Sequence, residues 1–236
     1  MVLARFGLAS RRGVVSLIES GKVTVNGKTV CEKGLRVLPE ADKICVEGKE
    51  LVAWHRDQKR YFILNKPKGV MTTMQDPHAE KTVADFFHAV PERLFPVGRL
   101  DRDTTGLLMM TNDGELAFGL THPKFGVQKK YFAKVKGFVA DEAVKALEKG
   151  VLLEEGRTAP CRMEILKRTP KESELFVVLH EGKKRQIRRI FDKRGHRVLE
   201  LSRLSYGPLS LGDLKPGQVR ELSTHEVKSL KKVTKQ

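Results

Sequence analysis

Apolar positions fall into two textures along the 236-residue chain. In the first stretch the patterns are short. Val14, Val15, Leu17 and Ile18 give one apolar face to a helix predicted over Arg11 to Ser20, with Ser10 as its N-cap and Gly21 at its C-terminal end. The run Val23-Thr24-Val25-Asn26-Gly27-Lys28-Thr29-Val30 then predicts a β-hairpin, because Asn-Gly supplies the positive φ angles that a two-residue turn requires. Val52 to Arg60 is polar and aperiodic, which suits a tether. From Tyr61 onward strands alternate with helices. Apolar or alternating runs predict strands at Tyr61 to Leu64, Gly106 to Met110, Tyr131 to Val135, Cys161 to Leu166, Ser173 to His180 and Arg197 to Leu201. Helices are predicted at Thr82 to His88, Asp141 to Lys149, Arg185 to Lys193 and Thr224 to Lys232, the last opened by a Ser223/Glu226 capping box with Leu222 stapled on Val227. The reading is a small module over 1–58 and a larger α+β domain over 59–236, built on a mixed, mostly antiparallel sheet flanked by helices.

Charge narrows the partners. The formal net charge is +16, and 10 Lys+Arg against 7 Asp+Glu through Asp57 leave about +13 on the remainder. Both modules are therefore basic, which favours nucleic acid over an anionic membrane surface. No apolar run approaches the roughly 18 residues of a bilayer-spanning helix. Three scattered cysteines, Cys31, Cys45 and Cys161, suggest neither a disulfide framework nor a zinc site and fit a reducing cytoplasm. Seven scattered histidines without metal-ligand spacing argue against a metalloenzyme. A monomer without cofactor is expected.

The chemistry concentrates in Pro96-Val97-Gly98-Arg99-Leu100-Asp101-Arg102-Asp103-Thr104-Thr105-Gly106-Leu107-Leu108. Arg99 and Arg102 flank Asp101 and favour its ionised form, as a nucleophile or base requires. Read alone, Asp101 is an ordinary loop aspartate capping the Asp103 or Thr104 amide. An Asp-x-Asp magnesium site with Asp103 is a further reading, opposed by the two arginines that would repel the cation. A second run, Lys129-Lys130-Tyr131-Phe132-Ala133-Lys134-Val135, is basic with interleaved aromatics, a pattern that suits stacked bases and phosphates, although alternation alone would make Tyr131 a core residue. A third run continues from Glu181 to Phe191. On a helical projection Ile187, Ile190 and Phe191 cluster, Arg185 and Arg189 lie opposite, and Arg188 sits at the boundary, where its guanidinium could turn inward.

The Asp101 run resembles the Gly-Arg-Leu-Asp-x-x-Thr-Thr-Gly-Leu-Leu signature of the RsuA-like family of ribosomal RNA pseudouridine synthases. Residues from about Val2 to Leu51, with Gly-Leu-Ala-Ser-Arg-Arg before the first helix and Gly-Lys-Val-Thr-Val-Asn-Gly after it, resemble the RNA-binding domain named for ribosomal protein S4. Asn65-Lys66-Pro67-Lys68-Gly69-Val70 and Arg203-Leu204-Ser205-Tyr206-Gly207 follow the family pattern as pocket rim and scaffold. The resemblance implies that Asp101 is catalytic, that Arg188 is its ionic partner and that Tyr131 stacks on the target base. It also implies that Leu100, Thr105 and Ile187 line the pocket. It places Arg5, Arg11, Arg12, Lys22 and Lys28 of the first module, and Arg99, Arg102, Lys129, Lys130, Arg185 and Arg189 of the second, as candidate RNA contacts, a merely solvated basic face being the alternative. The implied reaction isomerises a uridine of ribosomal RNA, alone or in a pre-ribosomal particle, without cofactor. The Arg-Gln-Ile-Arg-Arg-Ile and His-Pro-Lys wording leans toward members that modify large-subunit RNA. A non-catalytic RNA-binding assembly factor would carry the same charge and the same N-terminal module.

Overall fold

The computed structural model describes residues 2–5, 8–9, 11–51 and 58–234. The chain divides into two compact units, Met1–Lys59 and Arg60–Gln236, one residue beyond the expected boundary. The expected tether falls largely outside the described residues.

In the first unit, helices α1 (Val2–Arg5) and α2 (Arg11–Glu19) precede strands β1 (Val23–Val25), β2 (Lys28–Thr29), β3 (Ile44–Val46) and β4 (Lys49–Glu50). The strands form one sheet in the order β2-β1-β3-β4. Asn26 and Gly27 take φ values of 51° and 78°, the type I′ turn that their sequence asks for. Leu3, Val14, Val23, Ile44 and Val46 make a small core in which the apolar face of α2 is buried. The expected Ser10 cap lies outside the described residues.

The second unit begins with β5 (Tyr61–Lys66), a 3₁₀ turn (Val83–Phe86), β6 (Phe95–Pro96), β7 (Thr105–Thr111), α3 (Gly114–Thr121), a second 3₁₀ turn (Pro123–Phe125) and β8 (Lys129–Lys136). It continues through α4 (Asp141–Glu148), β9 (Leu152–Leu153), β10 (Gly156–Arg157), β11 (Arg162–Arg168), β12 (Glu172–Leu179), α5 (Gln186–Asp192), β13 (Val198–Tyr206), β14 (Leu209–Ser210), β15 (Val219–Glu221) and α6 (Thr224–Val233). Its main sheet runs β11-β12-β8-β13-β7-β5-β15, with β14 beside β13 and β6 beside β7. Neighbours are antiparallel except at one seam, where β13 and β7 run parallel through Ser202 opposite Thr105 and Arg203 opposite Gly106. The helix expected over Thr82 to His88 shrinks to the first 3₁₀ turn, and the expected α6 appears with its Ser223/Glu226 capping box complete.

Each half of the sheet carries its own core. Ala133, Val135, Leu175, Val177 and Leu201 pack with Ile187, Ile190 and Phe191 of α5 on one half. On the other half, odd positions of β7 (Leu107, Met109) meet α3 and α6, while even positions (Leu108, Met110) meet Val70, Val83, Leu94 and Leu100. Strand alternation produces this two-sided burial, so β7 reads as an unbroken apolar run.

The seam demands a glycine. A Cβ on Gly106, whose φ is 100°, would lie 2.3 Å from the Arg203 carbonyl oxygen and 2.6 Å from its nitrogen. Arg203 crosses the same seam, donating from Nε to the Leu107 carbonyl at 2.6 Å and lying over the Tyr206 ring.

Candidate active site

A parallel pairing brings the N-terminal ends of its two strands to one edge. The loop that carries Asp101 enters β7 there, and α5 feeds β13 at the same edge. Arg188 joins the two. The residue is 8% exposed, and its guanidinium donates from Nη2 to the Asp103 carbonyl at 3.2 Å and from Nη1 to the Val198 carbonyl at 3.3 Å. The expected boundary position of Arg188 thus turns it inward, as the helical projection allows.

The Asp101 loop is held almost wholly by its backbone. Leu100 exchanges hydrogen bonds with the Thr72 hydroxyl, which donates to its carbonyl at 2.7 Å and accepts from its N–H at 3.3 Å. The Asp101 carbonyl accepts from the Thr104 amide at 3.0 Å, and the Arg102 carbonyl from the Gly69 amide at 2.9 Å. Beneath the loop the fully buried Lys66 ammonium donates to the Val70 and Pro67 carbonyls at 2.8 and 3.0 Å and approaches that of Arg102 at 3.4 Å. Four consecutive carbonyls, from Leu100 to Asp103, are therefore engaged, while the Asp101 side chain remains one-third exposed. Such a scaffold presents a carboxylate with little freedom in the chain that bears it.

The ionic partner differs from the expectation. Among the described residues the cation within 4 Å of the Asp101 carboxylate is Arg185, whose Nη1 lies 3.8 Å from Oδ2. Arg188 reaches the loop through the carbonyl of Asp103, because its guanidinium is committed to bridging the two strand entrances. Burial, with Arg185 nearby, pushes Arg188 below the usual arginine value, and the charges of Asp101 and Asp103 oppose this.

Tyr131, half-buried on β8, packs against both flanking apolar clusters, where the α5 core meets the cluster containing Leu100. Leu100 and Ile187 are buried in those clusters at 5% and 4% exposure, and Thr105 donates from its hydroxyl across the seam to the Leu201 carbonyl at 3.4 Å. Arg99 and Arg102 are exposed.

Several expected RNA contacts are placed elsewhere. Lys129 is 9% exposed, its ammonium donating to the Val127 carbonyl near the Tyr206 ring, because β8 has strands on both sides and its first residue lies inside the sheet. Lys130 points to the opposite face from Tyr131, over the Phe176 ring at 3.7 Å, as strand alternation dictates. Arg189 is taken by a two-pronged pair with Glu155 at 2.6 and 2.7 Å, which holds that carboxylate down at about 2. In the first unit Lys22 pairs with Glu47 at 2.6 Å, Arg12 and Lys28 are exposed, and the side chains of Arg5 and Arg11 lie outside the described residues. The rim-and-scaffold run contained Lys66 without revealing its ammonium beneath the loop, and Thr72 went unseen as part of the loop's support. The available signal was a lysine ending an otherwise apolar strand just before a proline. Among the described residues no group of three or more His, Cys, Asp or Glu side chains is placed to hold a metal ion, and the three cysteines are free.

Burial pushes Lys129 down to about 8, with Arg203 acting in the same direction and Glu181 against it. A lysine lowered in the folded state is penalised while charged, so its cost to stability is complete below pH 8 and fades as pH rises toward the ordinary value of 10.5. The difference in urea midpoint between Lys129→Met and wild-type protein is therefore expected to move in favour of wild type between about pH 8 and 10. A difference that stays constant over this window would mean that Lys129 is ordinarily solvated.

Comparison with known proteins assigns both units to families. Residues 60–193 match the RNA pseudouridylate synthase family and residues 1–44 match the S4 domain. The chain is 47% identical to ribosomal large subunit pseudouridine synthase B of Bacillus subtilis, over 98% of this chain and 93% of that one. It is 41% identical to an RNA pseudouridine synthase of Aquifex aeolicus over 97% of this chain and 91% of the relative. A solved pseudouridylate synthase superposes with a TM-score of 0.70 at 30% identity, over 97% of this chain and 96% of that one. The match over residues 60–193, the near end-to-end identity to these relatives and the shared fold show that this chain belongs to the RNA pseudouridylate synthase family.

Proposed function

We propose that the chain isomerises a uridine of large-subunit ribosomal RNA to pseudouridine, with Asp101 as the group that acts on the nucleotide. Isomerisation breaks the bond from ribose to uracil nitrogen, turns the base and rejoins it through carbon. Atoms and electrons balance without oxidant, reductant or external group. The protein must supply an ionised carboxylate beside the sugar, a surface that retains the detached base, and room for a nucleotide taken out of its stack.

The observation that carries the assignment is the braced loop. With the carbonyls of Leu100 to Asp103 occupied, the Asp101 carboxylate projects from a fixed backbone, partly exposed and 3.8 Å from the Arg185 guanidinium, where a substrate can meet it. Preorganisation of this kind lowers the barrier because the reacting group need not be ordered at the moment of reaction. Arg188 serves by holding the loop to the entrance of β13, and Tyr131, between the two apolar clusters, offers its ring to the displaced base. The exposed cations Arg12, Lys28, Arg99 and Arg102 supply phosphate contacts that carry affinity and make it dependent on salt. The large-subunit assignment rests on the Bacillus subtilis relative, which bears that name and is aligned almost end to end. The three unpaired cysteines fit a reducing compartment.

Ribosomal RNA labelled with tritium at carbon 5 of uracil releases label to water when pseudouridine forms. Large-subunit RNA from cells lacking the protein is expected to release one equivalent per specific site, and small-subunit RNA none. Release from the small-subunit RNA alone would overturn the substrate assignment. Binding without release from either RNA would make the chain an assembly factor.

A further inference from the structure

Resting on the reading of large-subunit ribosomal RNA as the substrate, we propose that Phe118, His122 and Phe125 form a second RNA subsite. They make a stacking platform for an unpaired base outside the Asp101 pocket, with Lys124 and Arg99 meeting the phosphates beside it.

The rings themselves give the first reason. Helix α3 docks on its neighbours through Leu116, Gly119 and Leu120, all buried. Phe118 takes no part in that packing and is 56% exposed. Its ring lies 4.9 Å from that of His122 and 6.4 Å from that of Phe125, and those two are 6.3 Å apart, so three rings meet at the surface. A lone exposed apolar side chain is ordinary, whereas a cluster of rings calls for a partner. The cluster is also held in shape. The His122 amide donates to the Phe118 carbonyl at 2.9 Å, and Nδ1 of His122 accepts from the Lys124 amide at 3.3 Å, opening the second 3₁₀ turn, which Gly126 closes with φ 58°. Phe125 packs against the core that contains Leu120 and Val127. Rings already in place lose little freedom when a base settles on them.

The surroundings select the occupant. The Lys124 ammonium stands 4.6 Å from the centre of the Phe125 ring, and from Leu116 to Ala140 the chain carries no acidic residue. A nucleotide meets both features at once, its base on a ring and its phosphate at the ammonium.

Position ties the platform to the reaction. Thr121, the last residue of α3, stands against Gly98, where an added Cβ would lie 3.8 Å from the threonine methyl. Val97 belongs to the core shared with α3, and Leu100 to the cluster on the opposite face of β7. The segment from Val97 to Leu100 therefore crosses from the platform's side of the sheet to the side of the target pocket. Arg99 is exposed on that crossing, two residues before Asp101. An RNA strand with its target nucleotide at Asp101 is led past Arg99 toward the three rings. Tyr131 packs against the cluster containing Leu100, on the other face, so the two aromatic surfaces hold different bases.

The probe is large-subunit ribosomal RNA from cells lacking the protein, bound to the full chain on filters across a salt series. Phe118→Ala should weaken binding about tenfold, the loss expected when one stacked base leaves its ring, at an unchanged melting temperature. Phe118→Leu keeps apolar surface without a π face and should be as weak as the alanine variant, whereas Phe118→Trp should bind at least as tightly as wild type. The slope of log affinity against log salt should match wild type in Phe118→Ala and be shallower by about one in Lys124→Ala, since only the lysine gives up a phosphate. Tritium release at subsaturating RNA should fall in step with affinity. Wild-type affinity in Phe118→Ala would overturn the proposal. So would tight binding by Phe118→Leu, which would reduce the rings to a general apolar contact, or a melting temperature lowered in all three Phe118 variants, which would make the residue structural. An alanine variant that binds naked RNA normally but no longer joins pre-ribosomal particles would assign the rings to a protein partner, with the same consequence. Tritium release by wild type beside an unimpaired Phe118→Ala removes this inference alone. Binding without release, weakened in Phe118→Ala, removes the enzymatic reading and leaves the platform.

Discussion

Asp101→Asn protein is expected to release no measurable tritium from uracil-labelled ribosomal RNA, a loss of at least about a thousandfold, or some 4 kcal/mol of barrier, while binding the RNA within a few-fold of wild type. The asparagine is nearly the same shape, and the carboxylate it replaces is one-third exposed with its nearest described cation at 3.8 Å, so the loop should stand as before. The carbonyls that brace it belong to the main chain and are untouched by the substitution. What disappears is the negative charge at the sugar. Filter binding and tritium release measured on the same preparation decide the matter. A fall in affinity as large as the fall in rate would mean that Asp101 serves binding, and the division between a braced acid and a basic surface would be wrong.

Gly106→Ala is expected to have the largest effect on folding. Its Cβ would sit 2.3 Å from the Arg203 carbonyl oxygen, 2.6 Å from the Arg203 nitrogen and 2.9 Å from its carbonyl carbon, all backbone atoms that cannot rotate away. The seam must open or the chain must leave its φ of 100°, and β7 and β13 are the strands that join the two halves of the sheet. A cost above about 4 kcal/mol is a large part of the 5–15 kcal/mol that holds a typical domain together, so the variant should be mostly unfolded or insoluble. Gly156→Ala is the control. Its φ is 104° but nothing lies within 4 Å of the added carbon, so it suffers the backbone strain alone, about 1–2 kcal/mol. Equal losses in the two variants, measured by urea unfolding, would show that the strands do not meet as closely as described.

Much of the architecture was readable from short stretches. The Asn26-Gly27 turn, the apolar run of β7, the alternating β12 and the capped α6 depend on residues within a turn or two of one another, and period and punctuation reveal them. The readings that went astray share a different origin. Helix α3, Gly114–Thr121, was missed because its apolar residues surround the helix instead of forming a stripe, leaving the Asp113 cap, which accepts from the Leu116 amide, as its one local mark. Lys129 looked like a phosphate contact because lysine is ordinarily exposed, and strands on both sides of β8 buried it. Arg189 looked free until β10 and the turn before it brought Glu155 alongside.

The aspartate and the arginines around α5 were legible as chemistry through the resemblance their runs carry, since residue type alone would make Asp101 an ordinary loop acid. Which arginine faces the acid was not. That depends on β7 and β13 pairing in parallel, an association that sets Arg203 against Leu107 across 96 residues of chain. Local pattern tells each segment which side to bury, but it is blind to which distant strand will lie beside it, because that choice is made by the packing of whole faces. At this seam the packing turned Arg188 toward the carbonyls at the strand entrances and left Arg185 over the carboxylate. It also placed a lysine beneath the loop, where no helical or strand period could have announced it.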